Sequence, residues 1–306
     1  MSYRVASQLA PELDETTYRR TFIAPTRCRD LAEFLACTDT PLALLQSTRA
    51  LTLTTEDLIR QLAEEGVVYG EIRFAPLLHL REGLAPEAVV EAVEAAAAKA
   101  MAETGVEVRL LLCTLRHFDS AQSLETARLV DRYREGLVAG LDLASDEAGF
   151  PLDAHRAAFA YVRDRGLPRT AHAGEARGPE SVRETLRDLQ PSRIGHGVRS
   201  IEDPDLVAEL AETGVHLEVC PSSNVQIGVV PSYDSHPIHR LAQAGVSVGV
   251  NTDSRALNGL TLVEEYDRLA SVFGWGEARF RAANRAALKA SFVPEEVRAR
   301  VRARLG

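Results

Sequence analysis

The sequence predicts an α/β fold, a TIM-type (β/α)8 barrel whose first strand is missing from the chain. Three observations lead there. Short, continuously apolar segments alternate with amphipathic helical ones, as expected of parallel strands covered by helices on both faces. The length of 306 residues suits one such barrel. The polar residues, finally, cluster at the C-terminal ends of the apolar segments. A barrel brings those ends to one mouth, whereas an open sheet spreads them along a line.

Residues before 66 read as helical and offer no strand, and the segment 15–55 is expected to cover the mouth. Seven strands follow: VVYGEIRF (67–74), VEVRLLLC (106–113), LVAGLDL (137–143), RTAHA (169–173), SRIGHG (192–197), VHLEVC (215–220) and VSVGVN (246–251). Between them lie helical stretches such as PEAVVEAVEAAAAKAMAETG, which begins near Pro86 and stops at Gly105. LDAHRAAFAYVRDRG, PESVRETLRDL and PDLVAELAETG read the same way. No linker rich in Gly, Ser or Pro divides the chain, so residues 1–306 are expected to form a single domain.

A hydrophobic content of 45% supplies a sizeable core and excludes disorder, collagen-like repeats and a disulfide-stapled miniprotein. The net charge of −9 argues against a nucleic-acid partner, which needs a basic surface. No apolar run reaches the length of a membrane span, and charges throughout residues 1–20 speak against a signal peptide. Cys28, Cys37, Cys113 and Cys220 are widely spaced with no CxxC, which fits a reducing cytoplasm. Nothing in the sequence indicates an oligomeric state.

The chemistry is concentrated in His172-Ala173-Gly174-Glu175, Ile194-Gly195-His196-Gly197 and Asn251-Thr252-Asp253-Ser254. Taken alone, a histidine or aspartate ending a buried strand is an ordinary hydrogen-bonded core residue. Several of them at the same end of successive strands point instead to nitrogen and oxygen ligands for a divalent metal, zinc above all. There is no GxSxG, P-loop or GxGxxG, and no His-x-Glu with Pro-Cys-x-x-Cys.

These stretches, with YGEIRFAP (69–76), GLDLASDE (140–147), HAGEARGPESVRE (172–184), RIGHGV (193–198), LEVCPSSN (217–224), HPIHRL (236–241) and NTDSRALNGLTLVEEY (251–266), resemble the adenosine deaminase family of metal-dependent aminohydrolases. The resemblance runs from about residue 60 to 270, and the order of the pieces is that of the family. It implies that His172 and Asp253 are zinc ligands. It makes Glu175 the acid that protonates a purine ring nitrogen, and His196 the residue that orients and helps deprotonate a metal-bound water. Zinc brings the pKa of bound water to about 7, and a carboxyl in a partly dry pocket can supply the ring proton.

Three departures bear on this expectation. The family's first strand ends in a His-x-His that supplies two further zinc ligands, and this chain has no histidine before His79. The chain is therefore expected to be a truncated reading of a full enzyme and, as written, to hold zinc poorly and turn over weakly or not at all. Ser254 stands where the family commonly has a second, purine-contacting aspartate, and Ser145 where it has a glycine whose N–H meets the purine. The expected activity is zinc-dependent hydrolytic deamination of adenosine or 2'-deoxyadenosine to inosine and ammonia. The alternatives are a deaminase of adenine or a modified aminopurine, and a non-catalytic nucleoside-binding remnant. The other histidines are expected to be structural: His236 and His239 on an outer helix, His216 satisfied in a strand, His117 and His155 at surface or helix positions.

Overall fold

The computed structural model describes residues 1–306. The seven strands form where the apolar runs predict them: β1 (Tyr69–Phe74), β2 (Glu107–Leu115), β3 (Val138–Ala144), β4 (Thr170–Ala173), β5 (Arg193–His196), β6 (His216–Val219) and β7 (Val248–Val250). All pair in parallel and in chain order. A bridge between Leu141 and Arg169 joins the run β1–β3 to the run β4–β7. This is the strand order of a β/α barrel. It is open between β7 and β1, whose facing edges carry no strand partner.

Local signals set the helix ends. Asp119 and Gln122 form a reciprocal capping box for Ser120–Arg132, and Thr261 with Glu264 does the same for Leu262–Phe273. Gly105 and Gly214 end Pro86–Thr104 and Pro204–Thr213 in the left-handed conformation, which releases the chain into β2 and β6. The apolar faces of these helices bury against the strands in two large clusters. One surrounds Val108, Leu110, Leu141 and Leu143, and the other Ile194, Leu217, Val219 and Val248.

The N-terminal 64 residues form five helices, of which Thr48–Glu64 packs on Pro86–Thr104. Ala24, Cys28, Leu31 and Phe34 pack on Ile227 and Leu257, at the strand ends, so this segment covers the mouth as expected. At the opposite end of the barrel, Arg193 of β5 lies over the Phe292 ring at 3.6 Å. Its guanidinium pairs with Glu71 of β1 (2.6 Å) and Glu218 of β6 (2.8 Å). Between β7 and β1 a cleft of about 530 Å³ runs from this ion-pair cluster up to His172 and Asp253. No helix is long and apolar enough to cross a membrane.

One histidine expectation is narrowed to its helical alternative, and another is corrected. His155 is fully buried, with its ring nitrogens against Ser123 Oγ (3.0 Å) and the Arg116 carbonyl (3.2 Å), because the short turn Asp153–His155 folds under Ser120–Arg132. His236 does not lie on an outer helix face. It precedes Ile238–Gln243 and points inward, 2% exposed.

Candidate active site

The site stands at the C-terminal strand ends. His172 lies on β4 opposite Gly195 of β5, and its ring occupies the space a Cβ at Gly195 would need; such a Cβ would sit 2.6 Å from Nδ1. The glycine of RIGHG is thus the seat of the histidine. His172 Nδ1 is 3.2 Å from Asp142 Oδ1, and Nε2 is 3.1 Å from Arg73 Nη1. A guanidinium only donates, so Nε2 carries the lone pair and Nδ1–H donates to Asp142. Burial pulls the Asp142 pKa up, but His172 and Arg73 outweigh it and hold the carboxyl below its usual range.

Asp253 follows β7. Its Oδ2 accepts from Ser223 Oγ (2.8 Å), and Oδ1 lies 3.5 Å from Arg73 Nη2. Burial raises its pKa, and the Arg73 guanidinium and the Ser223 hydroxyl pull it down. Arg73, on β1, therefore reaches His172, Asp142 and Asp253 at once. Sequence reasoning missed it, although it stands inside YGEIRFAP.

Glu175 and His196 are buried side by side, with His196 Nε2 3.2 Å from Glu175 Oε1. Burial, with Asp253 and Glu147 adding to it, raises the Glu175 pKa well above the ordinary carboxyl value. Burial also holds His196 down to about 3, so its imidazole is neutral. The loop that carries Glu175 is fixed by Glu147, a residue the sequence offers either as lining the mouth or as bracing a loop. Its carboxylate accepts the backbone N–H of Gly174 (2.7 Å), Glu175 (3.0 Å) and Arg177 (2.9 Å), and the Ser181 hydroxyl. Arg116, also buried, donates to the His172 carbonyl (2.9 Å).

Backbone strain concentrates here. Of four non-glycine residues at positive φ, Ser145 (88°), His196 (59°) and Asp253 (55°) all end strands that face the site. Ser145 Oγ lies 3.4 Å from His117 Nδ1, and Ser254 Oγ 3.5 Å from Asp253 Oδ1. Ser254, His172, His196 and Asp253 line the cleft, whereas Ser145 and Glu175 stand outside that lining.

The donors fit zinc in kind. His172 has the tautomer a metal at Nε2 requires, with a carboxylate behind Nδ1. They do not fit in number. His172 and Asp253 are two ligands where catalytic zinc sites carry three, and one guanidinium engages the ligand atoms of both. The metal-capable atoms that do cluster, within 4.8 Å of one another, belong to Glu175, His196 and Asp253, without His172.

The adenosine deaminase family profile matches residues 3–306. The chain belongs to that family. It is 39% identical over 277 residues to an adenine deaminase of Agrobacterium fabrum, covering 90% of this chain and 85% of the relative. It is equally similar, over 276 residues and the same shares, to one of Sinorhizobium medicae. Among solved structures, the adenine deaminase of Arthrobacter aurescens matches with a TM-score of 0.89 at 28% identity, over 99% of this chain and 92% of that one. The N6-methyl-AMP deaminase of Arabidopsis thaliana matches at 0.81 and 26%, over 90% and 83%. The chain is thus an aminohydrolase on a TIM-type barrel, in a family that depends on metal.

Proposed function

We propose that the chain hydrolyses the exocyclic amine of adenine, the free base, yielding the 6-oxopurine and ammonia. The observation that carries this reading is the 39% identity to relatives named adenine deaminase along 90% of the chain. It favours adenine over the adenosine or 2'-deoxyadenosine expected from the motifs alone. The changes at Ser145 and Ser254, both at positions where the family's residues meet the purine, agree with a shifted preference within the aminopurines.

The reaction makes the amino-bearing carbon tetrahedral as water adds, and charge builds on the neighbouring ring nitrogen. Glu175, whose carboxyl burial shifts toward its protonated form, gives that nitrogen its proton. His196 fixes the Glu175 carboxyl through Nε2. Glu147 fixes the loop beneath both, so that the acid is preorganised. His172 and Asp253 are the residues that would hold zinc, and Ser145 and Ser254 those that would border the purine.

The test is ammonia release by the purified chain from adenine, adenosine and AMP, with zinc added because two ligands retain it weakly. Adenine is expected to give the highest kcat/KM. Faster turnover of adenosine or AMP would overturn the adenine assignment. Calorimetric purine binding without ammonia release would replace the enzyme reading with a binding protein.

A further inference from the structure

Asn224, on Pro221–Gln226 after β6, sits between two buried histidines, and the four groups around it form a chain whose direction is set by one backbone N–H. The Ile238 N–H lies 3.1 Å from His236 Nδ1. A backbone N–H can only donate, so Nδ1 accepts, and the proton of the neutral ring is on Nε2. That Nε2–H faces Asn224 Oδ1 at 3.2 Å. With its oxygen taken as acceptor, the Asn224 amide turns its NH2 to His196 Nδ1 (3.1 Å), and toward Glu175 Oε1 (3.5 Å). An NH2 group only donates, so His196 Nδ1 carries the lone pair and Nε2 carries the hydrogen, 3.2 Å from Glu175 Oε1.

The opposite arrangement fails at each link. Flipping Asn224 would set its NH2 against the His236 Nε2–H and leave two donors facing each other. Swapping the His236 tautomer would set two N–H groups together at Ile238. Asn224 is fully buried and His236, like His196, is 2% exposed, so each mismatch falls in the interior. A buried donor left without a partner costs about 1–3 kcal/mol. Burial also keeps the His236 ring neutral, which removes the state in which it could donate from both nitrogens.

We propose that His236 is a positioning residue which, through Asn224, fixes the tautomer of His196 with the hydrogen on Nε2. Two consequences follow for the reaction. His196 meets the site as an N–H donor to Glu175 Oε1, so in the resting enzyme it has no lone pair at Nε2 with which to take a proton. Glu175 Oε1 receives N–H groups from His196 and Asn224, so the place for a proton on this carboxyl is Oε2. The first consequence removes, in the resting enzyme, the deprotonation of water expected of His196 and leaves it the positioning of the Glu175 carboxyl. The inference rests on the aminohydrolase reading only for its kinetic effect. The tautomer itself is measurable without turnover.

The experiment is long-range 1H–15N spectroscopy of the full chain labelled at histidine, with the His196 ring assigned by its loss in His196→Gln. The unmodified protein is expected to show a neutral His196 protonated at Nε2. His236→Leu, which removes both links, is expected to mix the tautomers and to lower kcat by about 10–100-fold with little change in KM. In His236→Gln the amide can accept from Ile238 and donate to Asn224, and both tautomer and kcat are rescued. A His196 protonated at Nδ1 in the unmodified protein overturns the proposal. So does an unchanged tautomer in His236→Leu. If that variant fails to fold, the unmodified protein and His236→Gln still decide. If the tautomers behave as expected but no aminopurine releases ammonia, the enzyme reading fails and the positioning role stands.

Discussion

The arc of the rim from β3 to β6 and the arc from β7 to β1 hold their functional groups by different means. On the first, Glu147 clamps three backbone N–H groups of the loop bearing Glu175, and His196 is locked by Asn224 and His236. Each of those groups is buried and its hydrogen-bond direction is set by a backbone donor or a fixed amide. On the second, Asp253 has no such brace: it is tied across the cleft to His172 of β4 by one long side chain, Arg73 of β1, whose distances run from 3.1 to 3.5 Å and whose side chain is 29% exposed beside the cleft. The proton-handling half of the site is preorganised by this chain's own packing. The half that carries His172 and Asp253 is held by a single, partly exposed cation. Preorganisation of the first kind keeps a strained backbone and a buried acid in place, as the positive φ of His196 and the raised pKa of Glu175 require.

The sharpest way to break the comparison is to neutralise the acid on the braced arc. Glu175→Gln keeps the shape and removes the transferable proton. Turnover is expected to fall by about 10²–10⁴-fold. Stability should move the other way. A carboxyl whose folded pKa lies above its unfolded value binds more protons folded than unfolded. Its contribution is then fully present below the unfolded pKa and declines as pH rises between the two. Glu175→Gln removes that decline, so urea melts at pH 5 and pH 8 should differ less for the variant than for the parent. A larger difference in the variant would mean that Glu175 is held ionised, and that the arc is built for a different purpose.

On the open arc the corresponding change is Arg73→Met. Loss of a buried partner costs ~3–5 kcal/mol. With Arg73 partly exposed, the expected destabilisation of the metal-free chain is about 1–2 kcal/mol. Because the guanidinium and a metal compete for His172 Nε2 and Asp253 Oδ1, added zinc should raise the melting temperature of Arg73→Met more than that of the parent. Equal or greater stabilisation of the parent would show that Arg73 and metal do not share those atoms.

What the sequence made legible was the scaffold and the residues that sit on it. Apolar runs and the polar residues ending them placed β1 to β7, and with them His172, His196 and Asp253, to within about two residues at most strand ends. What stayed hidden were partnerships across the chain. Arg73 meets His172 at a separation of 99 residues, and Glu147 serves N–H groups near residue 175. Neither leaves a local pattern, because a backbone N–H has no residue identity to read and an arginine in a strand looks like any edge charge. His236 was misread for a related reason. Its i,i+3 spacing from His239 describes a helix face, but Pro237 opens the helix after it, and the contact with Asn224 depends on where the loop after β6 lands.

The same contrast appears in the backbone. β4 and β5 have partners on both sides, while β1 and β7 face the cleft. All six residues of β1 are partly exposed, whereas all four of β5 are buried. Amides of β1 and β7 that point into the cleft should exchange with solvent more readily than those of β4 and β5, by about 1 kcal/mol of opening free energy or ~5-fold. Uniform protection around the sheet would mean that the cleft is closed in solution, with both arcs equally rigid.

The smallest expected effect tests whether strain on the braced arc is structural or functional. Ser145 follows β3 at φ 88°, a conformation that a side chain makes costly and glycine adopts freely. Its hydroxyl makes one long contact, 3.4 Å to an exposed His117, so little is lost with it. Ser145→Gly relieves roughly 1 kcal/mol of strain and costs part of that in unfolded-chain entropy, for a net gain of about 0.5 kcal/mol. Glu147 lies two residues on and takes its partners from the 174–181 segment, so its hold should be untouched and kcat unchanged. KM for adenine should fall if the serine side chain crowds the purine, and stay level if it does not. A loss of stability in Ser145→Gly would show instead that the hydroxyl is itself a brace, extending the rigid arc to the loop where the sequence departs from its family.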